Sequence, residues 1–200
     1  MGRNRLPQRR AVFLDRDGVI NRNVWNPATG ECEAPLTAAD FEFLPGVVDA
    51  MRTLRNAGFL LFLVSNQPNC AKGKSTRSDL QAIHCKFTSL LLQERIEFAD
   101  FYYCLHHPAG IGNRYSRRCN CRKPSPHFLL KARARFNLDL GCSWMIGDRL
   151  TDVECGNRAG AKTILIASLS GCTASETQPD GVALDLAGAV RIILGANGTV

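Results

Sequence analysis

The chain is predicted to fold as an α/β domain built on a doubly wound parallel sheet. Three observations lead there. Apolar runs at Val12–Leu14, Phe59–Val64 and Ser143–Ile146 read as strands buried on both faces. Segments with helical apolar spacing lie between them, so strand and helix alternate. Each run also stops at a polar cluster: Asp15 with Asp17, Ser65–Gln67, and Gly147–Asp148. Those positions lie beyond the carboxyl ends of the strands, where open α/β sheets bind ligands.

The elements follow in order. Val12–Leu14 is a short buried strand, and Gly18 permits a sharp turn after the two aspartates. Residues 22–44 read as a long loop, because Asn26-Pro27, Thr29-Gly30 and Pro35 interrupt any periodicity. A loop of that length beside two acids is suited to closing over a substrate. Pro45 suits a first helical position, Val47, Ala50, Met51 and Leu54 share a face, and Gly58 ends that helix. A helix over 76–95 has Leu80, Ile83, Phe87, Leu90 and Leu91 inward, with Thr76 and Asp79 forming a capping box. His84 on that helix reads as a packed histidine rather than a ligand. A strand at 100–104, a cysteine-rich loop to Cys121, and a helix over 125–136 come next. The strand ending at Ile146, a helix over 152–159, a strand at 163–166 and a last helix over 185–194 complete the alternation.

Length and composition set limits. At 200 residues and 45% hydrophobic content, one domain with a sizeable core is expected over 11–200. No apolar run approaches the roughly 18 residues of a membrane helix. The basic start is followed by no apolar segment long enough for a secretory signal, so a cytoplasmic protein without a membrane partner is expected. Arg3, Arg5, Arg9 and Arg10 supply four of the +7 net charge, and residues 1–10 read as a flexible, solvated tail. A second basic cluster, Arg114, Arg117, Arg118, Arg122 and Lys123, contains no acid and points to an anionic substrate. The nine cysteines do not form a disulfide framework in such a compartment, and six of them are scattered.

At the strand ends, Asp15, Asp17 and Asp148 bring carboxylates together. Such a cluster is costly unless a hard cation such as Mg²⁺ shares it. Ser65 adds a hydroxyl, Lys123 an ammonium, and Asp152 lies one turn into the helix after Asp148. Those are the parts of phosphoryl transfer: charge to offset the phosphoryl oxygens and a hydroxyl to place them. A second constellation is Cys104-Leu105-His106, twelve residues, then Cys119-Asn120-Cys121. Three thiolates and one imidazole suit a closed tetrahedral zinc site, with no position open for water. That Zn²⁺ would be structural, pinning the 104–121 loop beside Arg122 and Lys123.

Asp15-x-Asp17-Gly18, Ser65, Lys123 and Gly147-Asp148-x-x-x-Asp152 occur in the order of the four motifs of the haloacid dehalogenase superfamily, which the chain resembles over residues 11–195. The resemblance implies a Rossmann-like sheet without a large cap domain and an aspartyl-phosphate mechanism. In it, Asp15 is the nucleophile and Asp17 the general acid/base. Ser65 and Lys123 hold the phosphoryl group. Mg²⁺ is held by Asp15, the Asp17 carbonyl and Asp148, and Asp152 orients Lys123 or a metal-bound water.

The zinc loop followed by Arg122-Lys123-Pro124 resembles two related families, the D-glycero-D-manno-heptose-1,7-bisphosphate 7-phosphatases and the histidinol-phosphate phosphatases. The twelve-residue spacer with His106-His107-Pro108, Phe41–Gly46 and Ser65–Gln67 favour the heptose group. Substrate contacts are then implied for Asn66, Arg122 and Arg149, with Arg114, Arg117 and Arg118 as weaker candidates for the second phosphate. The implied protein is a monomer acting on a small phosphorylated sugar in nucleotide-activated heptose biosynthesis. Pro68-Asn69-Cys70, Leu105 and Arg149 depart from the family pattern and leave sugar and anomer open. Histidinol phosphate is the alternative substrate. A nucleic-acid-binding protein is a third reading, but only Tyr115 lies among the basic residues of the loop, too few rings for base stacking.

Overall fold

Strand and helix alternate as the apolar pattern requires. The computed structural model describes residues 7–26, 30–167 and 177–195. In chain order the elements are β1 (Ala11–Leu14), β2 (Val24–Asn26), β3 (Glu31–Glu33), α1 (Val47–Asn56), β4 (Leu60–Asn66), α2 (Arg77–Gln93) and β5 (Asp100–Cys104). They continue with α3 (His127–Phe136), β6 (Trp144–Gly147), α4 (Leu150–Ala159), β7 (Lys162–Ile166), β8 (Gly181–Ala183) and α5 (Leu186–Gly195). Six strands form one parallel sheet in the order β5-β4-β1-β6-β7-β8.

Strand alternation divides the core between two faces. Val12, Leu14, Leu61, Leu63, Ile146 and Ile164 pack toward α1, α2 and α5. Phe13, Phe62, Val64 and Met145 pack on the other face toward α3 and α4. Phe62 is the hub of that second layer. It stacks on Phe13 at 5.1 Å and on Tyr102 at 6.4 Å, and meets the edge of Phe136 at 5.0 Å.

The structure departs from expectation in four places. The loop expected over 22–44 contains an antiparallel pair, β2 with β3, anchored to the main body by an ion pair of 2.5 Å between Glu33 and Lys74. Helix α1 starts at Val47, not Pro45, with Gly46 before it at φ 75°, a left-handed conformation open to glycine. A sixth parallel strand, β8, was not expected, because Gly181-Val182-Ala183 carries no apolar run. The ordered chain also begins before residue 11. Arg9 donates its N–H to Asn137 O at 3.0 Å, and the Arg10 guanidinium lies 4.5 Å over the Phe59 ring. The remainder of the basic tail, residues 1–6, lies outside the described residues. The capping box on α2 is present, with Thr76 and Asp79 reciprocally bonded. His84 is packed, its Nδ1 3.1 Å from the Tyr103 hydroxyl. No helix among the described residues is long and apolar enough to cross a membrane.

Because Phe62 is wholly buried and contacts three rings, Phe62→Ala is expected to cost about 3–5 kcal/mol. Denaturant unfolding would read this as a lower midpoint at unchanged slope.

Candidate active site and metal centres

Strands β4, β1 and β6 are neighbours, so their carboxyl ends converge. Asp15 follows β1, Ser65 and Asn66 end β4, and Asp148 follows β6. The close approach depends on glycine. Gly18 has φ +80°, and a Cβ there would overlap the Asp148 carboxylate. A Cβ on Gly147 would overlap the Asp152 side chain.

Lys123 enters from the loop before α3 and is almost wholly buried. Its Nζ lies 3.0 Å from Asp15 Oδ1 and 2.6 Å from Asp152 Oδ1, and donates to Val64 O at 2.7 Å. Asp152 Oδ2 accepts the Arg149 N–H at 3.1 Å, so this one carboxylate both opens α4 and fixes the lysine. Asn66, expected to contact substrate, lines the cavity and also braces Lys123. Its amide donates to Lys123 O at 3.2 Å and accepts from Lys123 N at 3.1 Å. Both of its polar atoms thus hold the lysine backbone.

The acids fit a hard cation. Oxygens of Asp15, Asp148 and Asp152 all lie within 4.8 Å of one another. Asp152 is committed to Lys123 and the Arg149 N–H. Asp148 Oδ1 is buried and accepts no hydrogen bond from the described residues, with Arg149 Nε 3.9 Å away. A buried carboxylate oxygen of that kind calls for a cation. Burial pushes the Asp15 carboxyl up to about 7 against the pull of Lys123, with Asp152, Asp148 and Asp17 adding to the rise. Burial and the Asp152 charge push Asp148 up to about 6.

The cysteine cluster fits zinc. Sγ atoms of Cys104, Cys119 and Cys121 stand 3.3–3.6 Å apart, and His106 Nδ1 lies 3.9 Å from Cys104 Sγ and 3.6 Å from Cys121 Sγ. A tetrahedron with Zn–S bonds of about 2.3 Å has S···S edges of roughly 3.8 Å, close to this spacing. The cluster sits directly before Arg122, whose Nη1 donates to His106 O at 3.3 Å. The other described cysteines, including Cys32, Cys70, Cys85, Cys142 and Cys155, take no part in it.

A cavity of about 880 Å³ opens over these groups, with Asp15, Asp17, Asn66, Lys123 and Asp152 among its lining. Lys72, Lys74, Arg117, Arg118, Arg122 and Arg149 line it as well. Arg114, a weaker candidate, does not line it and instead stacks on Tyr115 at 4.8 Å. His107 reaches the cavity, and so do Glu31, Cys32 and Glu33 of the hairpin.

Two residues to which the sequence assigned no role also enter the site. Arg16, with no exposed surface, donates from Nε to Asp17 Oδ1 at 3.0 Å and from Nη2 to Asp17 Oδ2 at 3.2 Å. Gln67 Nε2 donates to Asp17 Oδ2 at 2.6 Å and to Ser65 Oγ at 2.9 Å. Only a spatial arrangement could reveal them, because Arg16 and Gln67 are fifty-one positions apart.

A family model described as HAD-hydrolase-like matches residues 120–189. The D-glycero-beta-D-manno-heptose-1,7-bisphosphate 7-phosphatase of Escherichia coli K12 is 38% identical over 153 residues, 76% of each chain. The D-glycero-D-manno-heptose-1,7-bisphosphate 7-phosphatase of Chlorobaculum tepidum is 36% identical over 190 residues, 90% of this chain and 92% of that one. Among solved structures, the D,D-heptose 1,7-bisphosphate phosphatase of B. bronchiseptica, complexed with magnesium and phosphate, superposes with a TM-score of 0.75. It is 27% identical, with 94% of this chain and 99% of that chain covered. A HAD-like phosphatase from Mesorhizobium loti reaches a TM-score of 0.77 at 28% identity, covering 100% of this chain and 92% of that one.

Two outcomes follow. A divalent cation must displace protons from Asp15 and Asp148, whose ordinary value is 3.8 and which are raised to about 7 and about 6. Mg²⁺ affinity is therefore expected to rise with pH from about 5 and level off near 8, with proton release on binding between those limits. Calorimetry in buffers of different ionisation enthalpy measures both, and an affinity flat across that range contradicts the assignment. Protein purified without chelator is expected to carry about one zinc per chain, and Cys119→Ser to lower that content and expose the 104–121 loop to protease. Metal analysis and limited proteolysis decide it.

Proposed function

The chain belongs to the family of the D-glycero-D-manno-heptose-1,7-bisphosphate 7-phosphatases within the HAD-like hydrolases, and from that membership we propose that it removes the 7-phosphate of a heptose 1,7-bisphosphate. The observation that carries the reading is the division of one cavity. Asp15, at the end of β1, and Lys123, from the loop before α3, line its floor close to Ser65, while Lys72, Arg117, Arg118 and Arg122 line the same space from loops. A bisphosphate needs both: one phosphoryl group at the reacting carboxylate and cations for the other.

The site residues take the following roles. Asp15 attacks phosphorus in line with the sugar oxygen, forming an aspartyl phosphate as the phosphorus–oxygen bond to the sugar breaks. Asp17 gives its proton to the departing oxygen. As a carboxylate it then takes a proton from the water that cleaves the aspartyl phosphate. Ser65 accepts from Gln67, so its own proton is left for a phosphoryl oxygen. Lys123 holds Asp15 in place and offsets phosphoryl charge, and Arg122 and Arg149 contact the distal part of the substrate. The carboxylates of Asp15 and Asp148 and the carbonyl of Asp17 would hold Mg²⁺, which would supply further charge stabilisation of the phosphoryl oxygens. The protein acts as a monomer in the cytoplasm, and residues 11–200 form its single catalytic domain.

Phosphate release with Mg²⁺ tests the substrate. One anomer of the heptose bisphosphate is expected to exceed histidinol phosphate by at least about 10²-fold in kcat/KM. Equal, slow turnover of both rejects the heptose assignment and leaves the phosphatase chemistry. Asp15→Asn is expected to lose at least about 10³-fold in turnover while melting as the parent does. Near-parental turnover of this variant rejects the nucleophile.

A further inference from the structure

We infer that Arg16 and Gln67 are positioning residues that set Asp17 for proton transfer and tie it to the phosphate-binding Ser65. The inference rests on the reading of Asp17 as acid and base given above. Four hydrogen bonds converge on the Asp17 carboxylate. Arg16 gives two, Asn21 Nδ2 gives one at 3.1 Å, and Gln67 Nε2 gives one at 2.6 Å. Arg16 Nη2 also donates to Gln67 Oε1 at 3.0 Å, so the two positioning groups brace each other. The second hydrogen of the Gln67 amide goes to Ser65 Oγ. A continuous chain thus runs from Arg16 through Gln67 to Asp17 on one side and Ser65 on the other.

Fold stability does not account for this arrangement. Taking a guanidinium wholly out of water is costly, and an apolar side chain of similar volume commonly does as well or better at such a place. Arg16 Nη1 is even left without a hydrogen-bond partner among the described residues. The planar fork supplies directional control instead: it fixes both oxygens of Asp17 in one plane. Proton transfer needs that control, since donor and acceptor must lie within hydrogen-bond reach in the transition state. The four donors fill both oxygens of the resting carboxylate, so Asp17 takes up a proton only as one of them gives way; the Arg16 Nη2 bond, at 3.2 Å the longest, is the one that yields, while the other three keep the carboxyl in place. Gln67 adds registration. The hydroxyl that orients the phosphoryl group and the carboxyl that serves the leaving oxygen are held by the same amide.

The consequence is selective for steps in which a proton moves. Departure of an alkyl oxygen needs the Asp17 proton, whereas departure of p-nitrophenolate does not. Gln67→Met and Arg16→Lys are therefore expected to lower kcat/KM for the sugar phosphate by about 10²-fold, and for p-nitrophenyl phosphate by less than tenfold. Water activation also uses Asp17, so both variants should show a burst of p-nitrophenolate close to one per active site, followed by slow turnover as aspartyl phosphate accumulates. Asp17→Asn is the reference. If it shows this pattern and neither variant does, Arg16 and Gln67 are not positioning residues. If Asp17→Asn itself affects both substrates alike, the acid/base reading fails and the inference fails with it. A uniform loss on both substrates in the two variants, with a lowered melting temperature, would mark a purely structural role and overturn the proposal. Gln67→Met nearly conserves side-chain shape, and Arg16→Lys conserves charge, so folded protein is available from at least one of them.

Discussion

The buried ammonium of Lys123 is the interaction on which the rest of the site depends. It bridges Asp15 and Asp152 from a position with almost no contact with water. At an effective dielectric near 20, a unit charge pair about 4 Å apart is worth about 4 kcal/mol, and two such pairs can offset the desolvation of one amine. Burial alone would lower the lysine, yet the two carboxylates win and hold it well above its ordinary value. The ammonium therefore stays charged, and the aspartates can stay together. Removing it would leave two buried carboxylates facing each other with no cation between them.

Much of the surrounding structure serves to deliver that lysine. Its backbone is held on both sides by the Asn66 amide, which belongs to β4. Two residues earlier stands Cys121, part of a cluster whose spacing fits zinc. A loop of low apolar content cannot order itself by burial, and four ligands placed for one ion would do so instead. The sheet supplies the other half: β4, β1 and β6 are consecutive in space, so acids far apart in sequence emerge side by side. Metal cluster, strand end and ammonium form one sequence of constraints.

The chemistry-bearing residues were legible because each follows an apolar strand or sits at a ligand spacing, and both signals are local. Asp15, Asp17, Ser65 and Asp148 could be placed at one sheet edge from the alternation of elements alone. The task of Asn66 was not legible, since it bonds a backbone fifty-seven positions away. The place of Arg16 was not legible either, since the Gln67 side-chain carbonyl it bonds lies fifty-one positions away, just after β4. The β2–β3 pair was missed because strands of three residues carry no apolar run and gain their order from the Glu33–Lys74 ion pair and each other. β8 escaped for the same reason: its pairing with β7 is what defines it.

Charge at the sheet edge also explains why a divalent cation belongs there. Four carboxylates, Asp15, Asp17, Asp148 and Asp152, face two buried cations, Arg16 and Lys123, when all are ionised. The formal balance is two negative charges, which would repel a phosphate dianion. Protonation is one way to remove them, and the raised values of Asp15 and Asp148 reflect that tendency. It would also take the charge from Asp15, the carboxylate proposed to attack phosphorus. One Mg²⁺ brings the balance to zero while keeping both carboxylates ionised, so the substrate's own charge is then met by the rim cations alone. Excess negative charge at the strand ends and excess positive charge at the rim are thus two halves of one arrangement. The first suits a cation, and the second suits the anionic substrate proposed above.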